Sequence, residues 1–412
     1  MYFIYSIFTN FILIISPFIF LVRILNGKED IKRFQEKLSV YSGKNLSKTI
    51  WFHAASVGEL MSIIPIIKKF ENDNKVKKII LTTTTTSSAK IFQKLKFSKT
   101  IHKYFPLDTN LLTKKFINFW KPQIAIFVES EIWPNMIKNL EKKKIPIIIL
   151  NARITKKSFE RWKVFENFAI KIFSKISLAL PQNKETKKYL KLLGTKNIQI
   201  AGNLKYYGEK KIINTKKSKL LNRFKKFKVW CAGSTHNSEE ILIAKLHKDL
   251  KKYEKKLLTI IIPRHINRSK KIINDLRNMN LNVISHASKK KLSENTDIYL
   301  VDTFGESSKF YNLTNVTFIG GSIINHGGQN PLEAVRLGNF IVNGPNINNF
   351  NEIYAYLKRN KISYTTSNIS KIRMAVLEKL NKKLPKMYQE KIFNNGIKIL
   401  NKNIFYLKKY LI

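Results

Sequence analysis

Residues 51–60 read WFHAASVGEL: an apolar strand that ends in Ser-Val-Gly-Glu, where a helix has to begin. A strand handing directly to a helix is the repeating unit of a parallel α/β sheet, and Glu59 falls at the hand-over. Two roles fit that carboxylate. At a helix N-terminus the dipole stabilises it by about 0.3–1 kcal/mol. At a strand tip it can be a general base, provided burial lifts its pKa from the ordinary value of about 4.3. Gly58 permits a tight turn and close approach of a substrate. These residues alone leave both roles open.

The pattern recurs outward from this stretch. Apolar, β-branched runs stand at 49–53, 78–83, 123–128, 145–150, 176–180 and 198–201, then at 228–232, 257–262, 281–285, 298–301, 315–319 and 339–343. Lysine-faced amphipathic stretches separate them. Such alternation predicts parallel sheets covered on both faces. Two series predict two doubly wound, Rossmann-like α/β domains joined near the lysine-rich, loop-like segment 203–226, with a last helix over about 386–412. The expected organisation is an anchor at 1–26, a first domain at 27–205 and a second at 206–412. Polar clusters follow strands in both halves, where ligands of open α/β sheets bind, and so predict a cleft between the domains.

At 412 residues the chain is too long for one ordinary core, which agrees with two domains. The single cysteine, Cys231, excludes a disulfide framework, implies a reducing compartment and reads as a core residue. A formal charge of +49 suits anionic partners. No RGG run, zinc-finger spacing or RNP aromatic motif occurs, so nucleic acid is set aside in favour of an anionic membrane surface. Residues 1–24, MYFIYSIFTNFILIISPFIFLVRI, carry no charge before Arg23 and are long enough to cross a bilayer, although Asn10 and Pro17 interrupt them. No basic n-region or A-x-A site marks a cleavable signal. Lys28, Lys32, Arg33 and Lys37 follow, which predicts a cytoplasmic body. The alternative is a helix lying in the interface.

Among the clusters, FVESEIWPN carries Glu129 and Glu131 two residues apart, on one side if strand geometry persists. In GGSIINHGGQNPLEAVRLG, Gly320, Gly321, Gly327 and Gly328 lead to a helix start expected at Asn330-Pro331, with Glu333 in its first turn. This is a well-capped helix, or an anion site whose Glu333 binds ribose hydroxyls. Gly233, Ser234 and Thr235 repeat the idea, Arg264 and His265 end a strand as a phosphate contact, and DTFGE places Gly305 and Glu306 at the same edge. His53 reads as satisfying a neighbouring backbone group. No GxGxxG, P-loop or closed metal-ligand spacing appears, so no metal and no cofactor are expected.

In their order, HAASVGEL, TTTTT, ESEIWPN, NARIT, GNLKY, GSTH, PRH, DTFGE and GGQNPLEA resemble the bacterial 3-deoxy-D-manno-octulosonic acid (Kdo) transferases, membrane-associated GT-B glycosyltransferases of lipopolysaccharide assembly. The resemblance spans roughly residues 50–355, and the apolar N-terminus is similar to the family's membrane anchor. It implies a first domain that receives a lipid A precursor and a second that holds CMP-Kdo. It further implies Glu59 as the base, Glu129 and Lys205 as supports of the transition state, and inversion without a covalent intermediate. Pro263 and Arg264, Phe304, Gly305 and Glu306, and Asn330, Pro331, Leu332 and Glu333 match the stretches that hold CMP. The expected setting is the bacterial inner membrane, with the catalytic domains on its cytoplasmic side. Two rivals differ in measurable ways: a GT-B enzyme using a UDP-sugar, and a non-catalytic binder of anionic partners, whose affinity would fall steeply with salt.

Overall fold

The computed structural model describes residues 1–42, 49–208 and 219–411. It divides into two compact units, Met1–Tyr207 with Gly396–Ile412, and Gly208–Asn395. The tail therefore departs from the expected contiguous second domain: the last helix, Lys386–Lys408, begins in the second unit and ends in the first.

The first unit is built on a six-stranded parallel sheet in the order β3-β2-β1-β4-β5-β6. Its strands are β1 (Thr49–His53), β2 (Ile79–Thr83), β3 (Thr100–Tyr104), β4 (Pro122–Val128), β5 (Ile147–Ala152) and β6 (Leu178–Pro181). β1, β2 and β5 are buried at every position, which is why they read as unbroken apolar runs. Trp51, Phe116, Phe127, Ile137 and Phe173 centre the core on one face of this sheet. The second unit has seven parallel strands in the order β13-β12-β11-β7-β8-β10-β9. They are β7 (Lys228–Thr235), β8 (Leu257–Pro263), β9 (Val283–Ser285), β10 (Ile298–Leu300), β11 (Val316–Ile319), β12 (Phe340–Asn343) and β13 (Ser363–Thr365). Cys231 is fully buried in β7, as expected.

Both sheets are doubly wound, and each has a switch point where the strand order reverses: β1 beside β4, and β7 beside β11. Ligands of this fold class bind at such points, outside the carboxyl ends of the strands. Ser56, Glu59, Glu129 and Glu131 follow the first pair; Thr235 ends β7, and His236 and Gly320 follow the second pair.

Several sequence expectations need correction. Residues 198–201 form no strand: Ile198 makes one bridge to Ala179, and the chain then turns at Gly202 with φ of 92°. Strands β3 and β13 lie at sheet edges where no strand was expected. Segment 203–226 is not all loop, since Leu204–Tyr206 is a 3₁₀ turn and Lys219–Phe224 a helix; residues 209–218 lie outside the described residues. The helix after the glycine loop starts at Leu332 with Pro331 as its cap, one residue later than expected.

Candidate active site

In the first unit, Ser56 caps the helix Val57–Glu71. Its Oγ accepts from the Glu59 N–H at 3.3 Å and donates to Glu59 Oε1 at 2.9 Å, while the Ala55 N–H donates to Oε2 at 2.8 Å. This is a variant of the capping box in which the carboxylate takes the N–H before the cap, so the structural role open in the sequence is real. The box does not settle the carboxyl's ionisation. Burial, reinforced by the Glu131 and Glu129 carboxylates, pushes Glu59 up from 4.5 to about 7, against the lowering pull of Ser56 and Ala55. A carboxyl held near neutrality divides its population between acid and base at working pH, as a proton acceptor requires. The residue that closes the cap is thus also the one whose carboxyl is held near neutrality.

Glu129 does not continue the strand. Its φ is 60°, a left-handed conformation imposed from both sides: its N–H donates to the Leu150 carbonyl at 2.9 Å, and its own carbonyl accepts from the Arg153 N–H at 3.3 Å. The condition for the two acids to share one side, continued strand geometry, is therefore not met, and they find different partners. Glu129 Oε1 forms an ion pair with Lys205 Nζ at 2.6 Å. Glu131 Oε2 meets His53 Nε2 at 3.2 Å and accepts from Trp133 Nε1 at 2.9 Å. His53 is fully buried, stacks on Phe105 at 3.9 Å between centroids, and places Nδ1 3.0 Å from Thr82 Oγ1. It does more than satisfy the backbone, because it fixes the second acid.

Lys205 is positioned by Asn151 and Asn203, which belong to the NARIT and GNLKY stretches, and by Gln182, which lies in none of the quoted motifs. Asn151 Oδ1 accepts from the Leu204 N–H at 3.0 Å, and Asn203 Oδ1 accepts from the Lys205 N–H at 2.9 Å. Gln182 links the two: its Nε2 donates to the Asn151 carbonyl, and its Oε1 accepts from Asn203 Nδ2, each at 3.0 Å. Asn151 is the next-to-last residue of β5, Gln182 directly follows β6, and Asn203 lies farther on. The available signal was polar Asn and Gln at the ends of apolar runs.

In the second unit, the glycine turn at the β7–β11 switch point is already occupied. The Glu239 carboxylate accepts from the backbone N–H groups of His236, Gly321, Ser322 and Ile323 at 2.7–3.2 Å. The chain's own acid fills the nest formed by the turn at Gly321–Ile323. Gly320 is needed for packing, since a Cβ there would lie 2.5 Å from the Ser234 carbonyl oxygen.

Around this turn gather three imidazoles. His236 lies 4.0 Å from His326 and 5.9 Å from His265 between centroids, with Gln329 Nε2 3.0 Å from His236 Nε2. Burial, with the neighbouring histidines, Arg264 and Arg268, pushes His236 down to about 4, so it is neutral at pH 7. Pro263 ends β8; Arg264 is exposed, its N–H held by the Thr235 carbonyl at 2.9 Å. Phe304 is 69% exposed, and Gly305 has φ of 82°. Glu306 pairs with Lys309 and accepts from Thr303 Oγ1 at 2.5 Å, contacts that hold it down at about 2. Asn330 Oδ1 caps Leu332, and Glu333 accepts from Ser307 Oγ at 3.0 Å. Arg264 and His265 thus stand past β8, Phe304–Glu306 past β10, and Asn330–Glu333 past β11.

The architecture is shared with solved structures. The chain is similar to a UDP-GlcNAc 2-epimerase from Neisseria meningitidis (TM-score 0.58, 14% identity, covering 88% of this chain and 99% of that one). It is also similar to a glycosyltransferase from Rickettsia africae (TM-score 0.57, 12% identity, 89% and 99% covered). These likenesses place the fold in the GT-B class, two doubly wound α/β domains. The family described as 3-deoxy-D-manno-octulosonic-acid transferase (kdotransferase) matches residues 32–207. Along 411 residues the chain is 32% identical to the 3-deoxy-D-manno-octulosonic acid transferase of Rickettsia bellii, covering 98% of this chain and 97% of that protein. Identity to the Haemophilus influenzae transferase is 30%, with 98% and 96% covered. The chain belongs to the Kdo transferase family and is a glycosyltransferase.

Proposed function

We propose that the chain transfers Kdo from CMP-Kdo to a sugar hydroxyl of a lipid A precursor, lipid IVA, with inversion, at the cytoplasmic face of the bacterial inner membrane. Glu59 takes the hydroxyl proton as the acceptor oxygen attacks the anomeric carbon of Kdo. The bond from that carbon to the phosphate oxygen breaks, and CMP leaves with the electron pair. The observation that carries this reading is the Glu59 carboxyl, raised to about 7 at the β1–β4 switch point.

The remaining roles follow from the charges. Positive charge develops at the ketosidic carbon while the phosphate gains negative charge, so both signs need fixed partners. The Glu129–Lys205 pair, with one group of each sign 2.6 Å apart, supports the transition state in the first unit. Pro263 and Arg264, Phe304 to Glu306, and Asn330 to Glu333 hold the CMP portion on the second. Arg264 is the cation for the leaving phosphate, and the half-buried Glu333 is the acceptor for ribose hydroxyls. The basic excess, +49 overall, suits two anionic substrates and an anionic bilayer. The test is Glu59→Gln. Transfer should fall by roughly 10²–10⁴ while CMP-Kdo binding stays nearly unchanged, and transfer close to the parent rate overturns the assignment.

A further inference from the structure

The first helix, Tyr2–Leu25, is 24 residues long and apolar enough on length and composition to cross a bilayer. It is not a free rod, however. Tyr2, Tyr5, Thr9, Ser16 and Phe20 are spaced three, four or seven residues apart and line one face, turned toward the first unit. Tyr5 Oη donates to Asp108 Oδ2 at 2.8 Å, Tyr2 Oη donates to Asn135 Oδ1 at 2.5 Å, and Asn135 Nδ2 donates to Thr9 Oγ1 at 3.1 Å. Farther along, Phe20 packs on Phe34 at 5.7 Å, and Arg23 pairs with Glu29 at 2.9 Å. Asp108 is itself part of the fold. It accepts from the N–H groups of Asn135 and Met136, supplying the cap that the helix Pro134–Lys142 lacks of its own.

The opposite face is bare. Phe3, Ile7, Phe11, Ile14, Phe18 and Leu25 are 53–78% exposed, and the stripe they form carries no charge. Beside the docked end, Tyr5 meets Phe168 at 6.1 Å, and Phe168 meets Trp162 at 6.3 Å. The adjoining corner exposes Val164 and Phe165 between Arg161 and Lys163 on one side and the helix Glu166–Phe173 on the other. Exposed Lys28 and Lys32 follow the other end of the first helix. An apolar stripe with aromatic and basic residues at its margins matches the boundary between acyl chains and anionic headgroups.

We infer that the first helix lies in the plane of the membrane, its bare face sunk into one leaflet of anionic phospholipid and its other face latched to Asp108 and Asn135, and that it does not span the bilayer. This rests on the membrane setting proposed above and adds the mode of insertion. A spanning helix of about 36 Å would have to leave the unit, breaking the latch and stripping Asp108 of a partner. The test is to spin-label the full chain at Phe3→Cys, Ile14→Cys or Leu25→Cys, one at a time, on vesicles of phosphatidylethanolamine with phosphatidylglycerol. The native thiol, Cys231, is fully buried and leaves a clean background. Depth is read from oxygen against nickel-chelate accessibility. All three labels are expected at one shallow depth, about 5–10 Å below the headgroups. Ile14 at the bilayer centre with Phe3 and Leu25 near opposite surfaces would overturn the in-plane mode yet leave membrane residence intact. Labels that pair with one another out of contact with lipid would mean a second copy covers the stripe, also overturning it. Failure to bind the vesicles would overturn both the mode and the membrane setting.

Discussion

Replacing Glu59 with glutamine should remove a proton acceptor and, at the same time, stabilise the first unit above neutral pH. The folded state holds the Glu59 proton up to about 7, whereas an unstrained glutamate releases it near 4.5. Between those values the native state binds more protons than the unfolded one, so stability falls as pH rises through the window and stays low above it. The full difference corresponds to about 3 kcal/mol, of which about 2 kcal/mol should develop between about pH 5 and about pH 8. Glutamine keeps the shape but carries no charge, so the variant should escape that loss. It gives up one capping-box contact, worth about 1 kcal/mol at either pH. The expected result is a variant equal to or slightly less stable than the parent at about pH 5, and more stable by about 1–2 kcal/mol at about pH 8. Urea unfolding followed by tryptophan fluorescence suits the measurement, because Trp51, Trp120, Trp133 and Trp162 all lie in the first unit. A stability difference that does not change between the two pH values would refute the claim that the fold strains this carboxylate.

Three further outcomes are expected. Glu131→Gln removes a negative charge that raises Glu59 yet keeps an acceptor for Trp133, so the acid limb of the pH–kcat/KM profile should move below pH 7; an unmoved limb would count against coupling of the two acids. Lys205→Met leaves Glu129 without its ion pair, and transfer should drop by roughly 10²–10³ with partial rescue in Lys205→Arg; turnover at the parent rate in the Met variant would exclude a transition-state role. Glu239→Gln offers one carbonyl oxygen where four N–H groups converge, and should destabilise the second unit by about 2–4 kcal/mol, read through Trp230. A neutral substitution there would mean that the nest is not held by its internal anion.

The central strands were legible because burial on both faces writes them as unbroken apolar runs. The edges were not. In β3, Ile101 and Lys103 alternate with His102, so the strand reads as an amphipathic turn, and β13 is three residues long, two of them polar. The run 198–201 misleads in the other direction: its residues suit a strand, but the chain leaves the sheet to put Leu204 and Lys205 under Asn151 and Asn203. The acids of the candidate site were visible as residues at strand ends, whereas their pairings were not. Nothing local marks Glu129 for a left-handed backbone; its partners Leu150 on β5 and Arg153 just past it hold it there. Likewise Glu239 and the glycine turn are separated by about eighty residues, and only the β7–β11 pairing brings carboxylate and N–H groups together. Asp108 gave no sign of its bond to Tyr5, because hydrogen bonds of this reach depend on the finished fold.

The most direct measurement offers the protein lipid IVA with CMP-Kdo, and separately with UDP-sugars, and weighs the lipid product by mass spectrometry. The account predicts a mass gain of whole Kdo units from CMP-Kdo, with CMP released one for one, and no gain from any UDP-sugar. An unchanged lipid with CMP-Kdo, or glycosylation from a UDP donor instead, would contradict it.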